Sequence, residues 1–206
     1  MEKQIDKSGY NFKKYCQVER FGSYWHQLNE VLSVQPSSVL EIGVGDRVFA
    51  NYLKNNTTIN YTSADIAEDL NPDVVTSIDK LDFPDSSFDV TCAFEVLEHL
   101  PFEKFEQALR ELNRVSRNYV IMSLPHWGRH FSIDIRLPLF KRLRWQRKIN
   151  LLPIPHAFNG QHYWEIGKRG YPLSIIRHAI KNSGFTIEKD FIAFESPYHH
   201  FFVLKK

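Results

Sequence analysis

The chain has 206 residues and a formal net charge of +2. This length suits one domain with a sizeable core, and so small a charge excludes a protein whose whole surface binds polyanions. Cys16 and Cys92 lie far apart and fit no metal-ligand spacing, so we expect reduced thiols and a cytoplasmic protein. There is no apolar signal-peptide core near Met1 and no apolar run of about 18 residues, so we expect no transmembrane segment.

The first part of the chain, residues 1–35, is predicted to form a helical cap. Large apolar residues recur there at helical spacing. They are Phe21, Tyr24, Trp25, Leu28 and Leu32.

A short apolar run at residues 38–42 is typical of a buried parallel strand. Gly43 and Gly45 follow it and permit a sharp turn that brings bare backbone against a ligand. Residues 48–54 are then predicted to form a helix whose N-terminus favours an anionic group. Strand, glycine turn and helix in this order predict the first half of a nucleotide-type site.

This turn resembles the first motif of class I S-adenosylmethionine (SAM) dependent methyltransferases, E/D-x-G-x-G-x-G. Glu41, Gly43 and Gly45 match the motif, and Arg47 stands where that family commonly has its third glycine. The resemblance implies that Glu41, Gly43 and Gly45 belong to the SAM site, where an arginine at position 47 could pair with the methionine carboxylate. A nicotinamide dinucleotide site is the alternative, although its G-x-G-x-x-G motif would need a glycine at Val48.

Asp65 ends the second predicted strand, residues 59–64, about twenty residues after the glycine turn. A carboxylate at that place can accept both ribose hydroxyls of an adenosine, a charge-assisted contact worth roughly 1.5–3 kcal/mol. We therefore predict that Asp65 binds the ribose and that Ile66 lies against the adenine. A loop or cap role for Asp65 is the structural alternative.

Two further strings resemble the same family, within its type 11-like group of small methyltransferases. The first is L-D-F-P-D-S-S-F-D-V at residues 81–90, and the resemblance implies adenine contacts just before it, which we assign to Ile78 and Asp79. The second is F-E-V-L-E-H-L at residues 94–100, at the carboxyl end of a strand beside the first one, where such sheets bind ligands. Its first residue, Phe94, is predicted to face the methionine part of SAM.

The second string also supplies the candidate catalytic residues, His99 and Glu98. SAM carries an activated methyl group, so the protein mainly has to align a nucleophile with it. A base helps where a hydroxyl must lose its proton, and His99 is the better base near neutral pH. Alternatively, both residues only begin a helix, whose first turn favours acids.

The spacing Glu95-x-x-Glu98-His99 is also similar to the divalent-metal ligands of small-RNA 2′-O-methyltransferases and of some ubiquinone-pathway O-methyltransferases. Those enzymes add a distant histidine, for which His162 is the candidate and His126 the reserve. Oxygen and imidazole ligands would suit Mg²⁺ or Mn²⁺. Because metal-free methyltransferases also carry E-V-L-E-H, we assign no metal ligands and keep Glu95, Glu98, His99 and His162 as candidates.

Residues 125–172 form a long segment before the last predicted helix, which is unusual for an idle loop. Its first half carries seven basic residues against the single acid Asp134, a sum of +6. The basic residues are Arg129, Arg136, Lys141, Arg142, Arg144, Arg147 and Lys148. Interleaved with them are the aromatic residues Trp127, Phe131, Phe140 and Trp145. This insertion suits an anionic substrate with flat or apolar parts, whereas a lid helix with a solvated basic side is the structural alternative.

We predict one α/β domain, residues 1–206, with the Rossmann-like class I methyltransferase fold that the motifs imply. It has a seven-stranded, mostly parallel sheet, helices on both faces and a terminal antiparallel hairpin. The later strands are predicted at 74–78, 89–94, 119–124, 185–194 and 199–204, and the later helices at 101–114 and 173–183.

The predicted activity is transfer of a methyl group from SAM to an oxygen or nitrogen of an anionic small-molecule, glycan or lipid-linked substrate. One alternative is an RNA 2′-O-methyltransferase that uses a divalent metal. The other is a non-catalytic SAM- or RNA-binding relative, which Arg47 favours. Nucleic acid and a peripheral membrane contact therefore stay open as partners.

Overall fold

A computed structural model describes residues 7–206. One sheet in this part of the chain contains seven strands. They are β1 (Ser38–Ile42), β2 (Asn60–Asp65), β3 (Val74–Val75), β4 (Phe88–Phe94), β5 (Ser116–Pro125), β8 (Thr186–Ile192) and β9 (His199–Lys205). Their order is β3-β2-β1-β4-β5-β9-β8, with β1 to β5 parallel and β9 antiparallel to both β5 and β8. The predicted sheet and its terminal hairpin are confirmed.

Five α-helices accompany the sheet within the described residues. They are α1 (Phe12–Tyr15), α2 (Val18–Ser33), α3 (Val48–Asn56), α4 (Phe105–Val115) and α5 (Leu173–Asn182). Single turns of 3-10 helix occur at Lys7–Tyr10, Glu68–Leu70, Leu97–His99 and Phe102–Lys104. Helix α2 accounts for the apolar spacing seen in the predicted cap, whose first six residues lie outside the described part. None of these helices is both long enough and apolar enough to cross a bilayer.

The two faces of the sheet are covered by different helices. Leu40 of β1 belongs to an apolar cluster that includes Leu109 of α4, whereas Val39 belongs to a second cluster that includes Leu53 of α3. Neighbouring residues enter different clusters because successive side chains of a strand point to opposite faces. This two-sided core fixes the carboxyl edge of the sheet, from which the ligand-facing loops extend.

Strand β3 and helix α4 are shorter than predicted because a turn replaces part of each element. Strand β3 has two residues instead of 74–78, because the chain turns back at Ser77, which bridges to Lys80. Helix α4 begins at Phe105, since the residues after Pro101 first form a 3-10 turn. Neither difference changes the strand order.

The insertion contains a β-hairpin. Strands β6 (Arg129–Ile135) and β7 (Leu143–Ile149) form a separate antiparallel sheet of two strands. The lid-helix interpretation is therefore wrong for this segment. Phe131, Ile133 and Ile135 alternate with polar residues, and this period of two favours a strand.

Candidate active site

A cleft lies at the carboxyl ends of β1, β2 and β4, the edge where sheets of this kind bind ligands. It is bounded by the turns after these strands, by the N-terminal segment and by two later loops. The lining residues are Tyr10, Tyr15, Arg20, Gly43, Gly45, Asp65, Ile66, Ala67, Leu70, Phe94, Glu95, Val96, Glu98, His99, Gln161, His162, Tyr198 and His199. The cleft brings together most residues that were predicted from sequence and several that were not.

The turn after β1 requires glycine at position 43. Gly43 has a φ of +82°, and a Cβ there would lie 2.4 Å from Cγ2 of Val96 in the turn after β4. A side chain would thus push apart two turns that both line the cleft. Gly45 also has a positive φ, +46°, and its backbone is open to the cleft. The backbone can therefore approach a ligand closely here.

Arg47, which stands at the third glycine position, contacts the turn after β2. Its φ of +65° is left-handed, a conformation that costs a non-glycine residue roughly 1–2 kcal/mol. Nε donates to the carbonyl of Leu70 at 3.0 Å, and a second guanidinium nitrogen donates to the carbonyl of Asn71. Arg47 therefore ties two turns together outside the cleft, and this position does not fit the predicted pairing with a methionine carboxylate.

We expect Arg47→Gly and Arg47→Ala to differ in stability. Both remove the two hydrogen bonds, but only alanine keeps the left-handed strain, so its unfolding free energy should be lower than that of the glycine variant by about 1 kcal/mol. The affinity for S-adenosylhomocysteine, measured by calorimetry, should change by less than about threefold in both variants, which is under 1 kcal/mol. We expect so small a change because Arg47 lies outside the cleft lining. A loss beyond about tenfold in the glycine variant would mean that the guanidinium contacts the cofactor.

Asp65 ends β2 with its carboxylate in the cleft. Oδ2 accepts the N–H of Val44 and Oδ1 accepts that of Ala67, both at 2.9 Å. Burial raises the pKa of this carboxyl, and the two N–H bonds oppose that rise. Each oxygen keeps a lone pair for a ligand hydroxyl. Ile66 lines the cleft beside it, so both residues face the same space.

Three other predicted cofactor residues lie outside the cleft lining. Glu41 is buried and accepts a hydrogen bond from the Tyr61 hydroxyl, and its burial raises its pKa to about 8. Ile78 belongs to the apolar core, and Asp79 accepts a hydrogen bond from Nζ of Lys104 at 2.8 Å. The structure therefore places the predicted adenine contacts of Ile78 and Asp79 away from the cleft, because the chain turns back after the short β3.

The N-terminal segment forms a wall of the cleft that the sequence analysis did not predict. Arg20 donates to the Tyr15 hydroxyl at 3.1 Å, and its guanidinium lies 4.0 Å from the centroid of that ring. Tyr10 packs against a small apolar cluster made of Val44, Ala67 and Leu70. The contacts of Tyr10 join residues that are distant in sequence, so no local pattern indicates them.

Helix α2 is fixed to the connection between β8 and β9. His26 Nε2 lies 2.9 Å from Oε2 of Glu195, and a Cβ at Gly22 would lie 2.5 Å from the Cβ of Glu195. This close approach needs glycine on the helix. It holds α2 so that Arg20 reaches the cleft.

The turn after β4 carries two acids, of which Glu98 is buried and Glu95 is partly buried. Glu95 has a φ of +54°, and one of its carboxyl oxygens has no hydrogen-bond partner within residues 7–206. Glu98 is fully buried, and neither of its oxygens has such a partner in that range. Burial raises the pKa of Glu95 to about 8, and burial together with the charge of Glu95 raises that of Glu98 well above its usual value. Buried polar groups normally have partners, so we expect a ligand to satisfy these carboxyls.

His99 and His162 adjoin Glu98. One ligand-type atom from each of the three residues lies within 4.8 Å of the others. His99 Nδ1 is 3.0 Å from the carbonyl oxygen of Gln161, which can only accept, so we assign the proton to Nδ1. Burial lowers the pKa of His99 to about 4, which keeps its ring neutral at neutral pH.

His162 is held by an acid that was not predicted as a site residue. Its Nδ1 lies 3.1 Å from Oε1 of Glu165, and its Nε2 lies 3.9 Å from Oε1 of Glu98. The Tyr198 hydroxyl donates to the same Glu165 oxygen at 2.8 Å. Burial acts to raise the pKa of Glu165, but the bonds from His162 and Tyr198 outweigh it and lower the pKa. An ionised Glu165 thus orients His162 with Nε2 towards Glu98.

Comparisons with known proteins give the same fold. Residues 40–122 match a family model described as a methyltransferase domain. The 1,6-didemethyltoxoflavin-N1-methyltransferase from Burkholderia thailandensis, with bound 1,6-didemethyltoxoflavin and S-adenosylhomocysteine, is similar at a TM-score of 0.64 and 13% identity over 97% of this chain and 82% of that one. The N-methyltransferase NodS from Bradyrhizobium japonicum, in complex with S-adenosylhomocysteine, has a TM-score of 0.62 and 12% identity over 93% and 89%.

The fold by itself does not fix the reaction. The [4+2]-cyclase SpnF is also similar, with a TM-score of 0.58 and 12% identity over 91% of this chain and 80% of that one. A search of curated protein sequences gives no significant match. The similarity to a methyltransferase domain therefore covers residues 40–122 of the 206, and the strand order and the glycine turn agree with it. The described part of the chain has the Rossmann-like fold of the SAM-dependent methyltransferases to which it is similar.

Proposed function

We propose that the chain methylates an oxygen or nitrogen of an anionic acceptor bound at the acceptor corner, which consists of Glu98, His99 and His162. The observation that carries this proposal is the buried carboxyl of Glu98, whose oxygens have no hydrogen-bond partner in the described part of the chain. A hydroxyl or amine donates hydrogen bonds and would satisfy that carboxyl. The acceptor is a small molecule, a glycan or a lipid-linked compound.

The other end of the cleft suits the adenosine of SAM. Residues proposed to contact the cofactor are Gly43, Gly45, Asp65, Ile66 and Phe94, all in the cleft lining. Arg20 lies in the same lining and is the proposed partner of the SAM carboxylate. Glu41 acts indirectly, through the strand that carries the glycine turn. Cys16 and Cys92 are unpaired thiols, which fits the proposed cytoplasmic location.

The chemistry needs one bond to form and one to break. The acceptor oxygen or nitrogen attacks the methyl carbon, the carbon–sulfur bond breaks, and S-adenosylhomocysteine leaves. The acceptor proton passes to Nε2 of His162, while Glu165 holds the ring through Nδ1. Glu98 and His99 position the acceptor, and alignment accounts for most of the rate.

The anionic character of the acceptor is inferred from the insertion. The acceptor corner contains the acid Glu98 and neither lysine nor arginine, so the attraction for an anion is assigned to the basic hairpin formed by β6 and β7. A local field of this kind raises the rate of encounter and contributes less to specificity. The proposal therefore names a class of acceptor and not a compound.

A metal-assisted reaction, as in the RNA 2′-O-methyltransferase alternative, is the second candidate. Glu98, His99 and His162 offer one oxygen and two imidazole ligands close enough for a single ion. Such a donor set suits Mn²⁺ or Mg²⁺, and the unpaired oxygen of Glu95 adjoins it in sequence. A cation held there would lower the pKa of an acceptor hydroxyl. The non-catalytic alternative is less well supported, because Arg47 contacts Leu70 and Asn71 outside the cleft.

The proposal is tested by transfer of labelled methyl groups from SAM. Acceptors are phosphorylated sugars, nucleotide-linked sugars and lipid-linked glycans, with an RNA oligonucleotide for the alternative. His162→Gln should lower the turnover number by about 10²–10⁴-fold, whereas His178→Gln, on the exposed side of α5, should not change it.

Each acceptor is offered with EDTA and again with Mn²⁺. Transfer in EDTA supports the metal-free reaction. Transfer that needs Mn²⁺, together with a bound-Mn²⁺ resonance spectrum that disappears in Glu98→Gln, supports the metal alternative. A protein that binds S-adenosylhomocysteine but methylates none of these acceptors would contradict the proposal.

A further inference from the structure

The hairpin of β6 and β7 has an apolar face that is exposed. Directly opposite residues of an antiparallel pair share a face, and Phe131, Ile133 and Ile135 are opposite Arg147, Trp145 and Leu143. We call this the outer face. Its five apolar residues are each between 43% and 59% exposed. They are Phe131, Ile133, Ile135, Leu143 and Trp145.

The polar face of the hairpin is turned towards the main sheet. Arg144 donates to Oε1 of Glu195 at 2.6 Å, and Gln146 donates to the carbonyl of Ile192 at 2.5 Å. Lys148 donates to the carbonyl of His126. The usual arrangement of a soluble sheet is thus reversed, because the polar side contacts the rest of the protein and the apolar side is exposed.

The tip of the hairpin continues the apolar surface. Leu137, Leu139 and Phe140 are exposed there, and Leu139 is fully exposed with a left-handed φ of +66°. Arg136 and Lys141 flank these residues and are exposed as well. The tip therefore combines protruding apolar side chains with cations.

The charge around the outer face is positive. Arg147 and Arg129 lie on that face near its base by register, and Arg136 and Lys141 lie at the tip. The single acid of the hairpin, Asp134, is on the polar face, where Arg142 donates to its Oδ1 at 2.6 Å. Cations consequently border the apolar surface at both ends, without an acid on the same face.

We propose that the outer face and tip of this hairpin dock on the surface of an anionic lipid bilayer. Apolar side chains would enter the interface while the bordering arginines and lysines meet lipid phosphates. Charge complementarity selects this occupant over a second copy, since two outer faces placed against each other would oppose like charges.

Docking would also bring the cleft to the bilayer surface. Strand β6 starts just after β5 ends at the cleft edge, and the chain returns to the cleft at Gln161 and His162. This consequence rests on the proposed function, because a cleft at the bilayer surface would take a lipid headgroup or a lipid-linked glycan as its acceptor. The docking surface itself does not depend on catalysis.

The test is co-sedimentation of the protein with vesicles of phosphatidylglycerol and phosphatidylcholine, and with vesicles of phosphatidylcholine alone. We expect salt-sensitive binding to the anionic vesicles. Replacing Arg136 and Lys141 by Glu should weaken it more than about tenfold, since each cation contributes about fivefold. Replacing Leu139 and Phe140 by Ser should weaken it by a similar factor, about tenfold or more. Phe12→Ser and Lys181→Glu, at exposed positions away from the hairpin, are the matched controls and should bind as the wild type does.

Two results would overturn the proposal. One is that the protein co-sediments equally weakly with both vesicle types, while light scattering shows a dimer that the tip substitutions dissociate. The outer face and tip would then be an interface between two copies of the chain. The other is tip-dependent binding to an RNA oligonucleotide without vesicle binding. S-adenosylhomocysteine affinity, measured without vesicles on the same variants, separates failure of docking from failure of the proposed function.

Discussion

Glu98→Gln is expected to lower methyl transfer by about 10²-fold, because the acceptor would lose the carboxyl that positions it, while the protein stays at least as stable as the wild type. The carboxyl of Glu98 is fully buried with no hydrogen-bond partner in residues 7–206, so its ionised form destabilises the free protein. The amide has nearly the same shape and carries no charge. Turnover with labelled SAM and thermal unfolding, measured on the same preparations, check the two halves of this prediction.

Glu30→Gln is the matched control. Glu30 is also buried, but it accepts a hydrogen bond from Lys189 at 2.6 Å and lies outside the cleft. Its substitution should reduce stability and leave turnover unchanged, the opposite of the result for Glu98. If Glu98→Gln kept wild-type turnover, the acceptor would have to bind elsewhere.

Asp65→Ala is expected to weaken S-adenosylhomocysteine binding by about ten- to a hundredfold, measured by calorimetry. The proposed hydrogen bonds between Asp65 and the ribose are charge-assisted and worth roughly 1.5–3 kcal/mol, which corresponds to that range. The substitution also leaves the N–H groups of Val44 and Ala67 without their acceptor, so some loss of stability should accompany it.

Asp73→Ala separates the two effects. Asp73 accepts the N–H of Ser63 at 2.8 Å and so also supports β2, but it is not part of the cleft lining. This variant should lose stability and keep its affinity for S-adenosylhomocysteine, and neither variant should bind NAD. Equal affinities for Asp65→Ala and the wild type would remove Asp65 from the cofactor site.

The site residues that could be predicted from sequence are those that lie at the end of a strand or in the turn directly after it. Gly43 and Gly45 are recognisable because the backbone there needs positive φ, and Asp65 because a strand end places it at the ligand edge. Glu98 and His99 lie in the cleft since they follow β4 directly. Each of these positions can be predicted once the strand before it is recognised and the residue at which that strand ends is known.

The remaining parts depend on contacts between distant segments. Arg20 reaches the cleft because α2 is held against Glu195 in the connection between β8 and β9, and Tyr198 reaches it from that same connection. Glu165 carried a local signal, three residues after His162, but its role is apparent only when both face Glu98. The hairpin carried a signal as well, in the alternation of Phe131, Ile133 and Ile135, which the basic composition obscured.

Glu195 connects the hairpin of β6 and β7 to helix α2 beside the cleft. One of its oxygens accepts from Arg144 of the hairpin, and the other lies against His26 of α2, the helix that carries Arg20. Coupling between two binding sites is reciprocal. Any factor by which docking on a bilayer changes the affinity for the cofactor is therefore also the factor by which the cofactor changes the affinity for the bilayer. If Glu195 couples the two sites, docking of the hairpin on a bilayer would change the affinity of the cleft for the cofactor, and cofactor binding would change the affinity for the bilayer by the same factor.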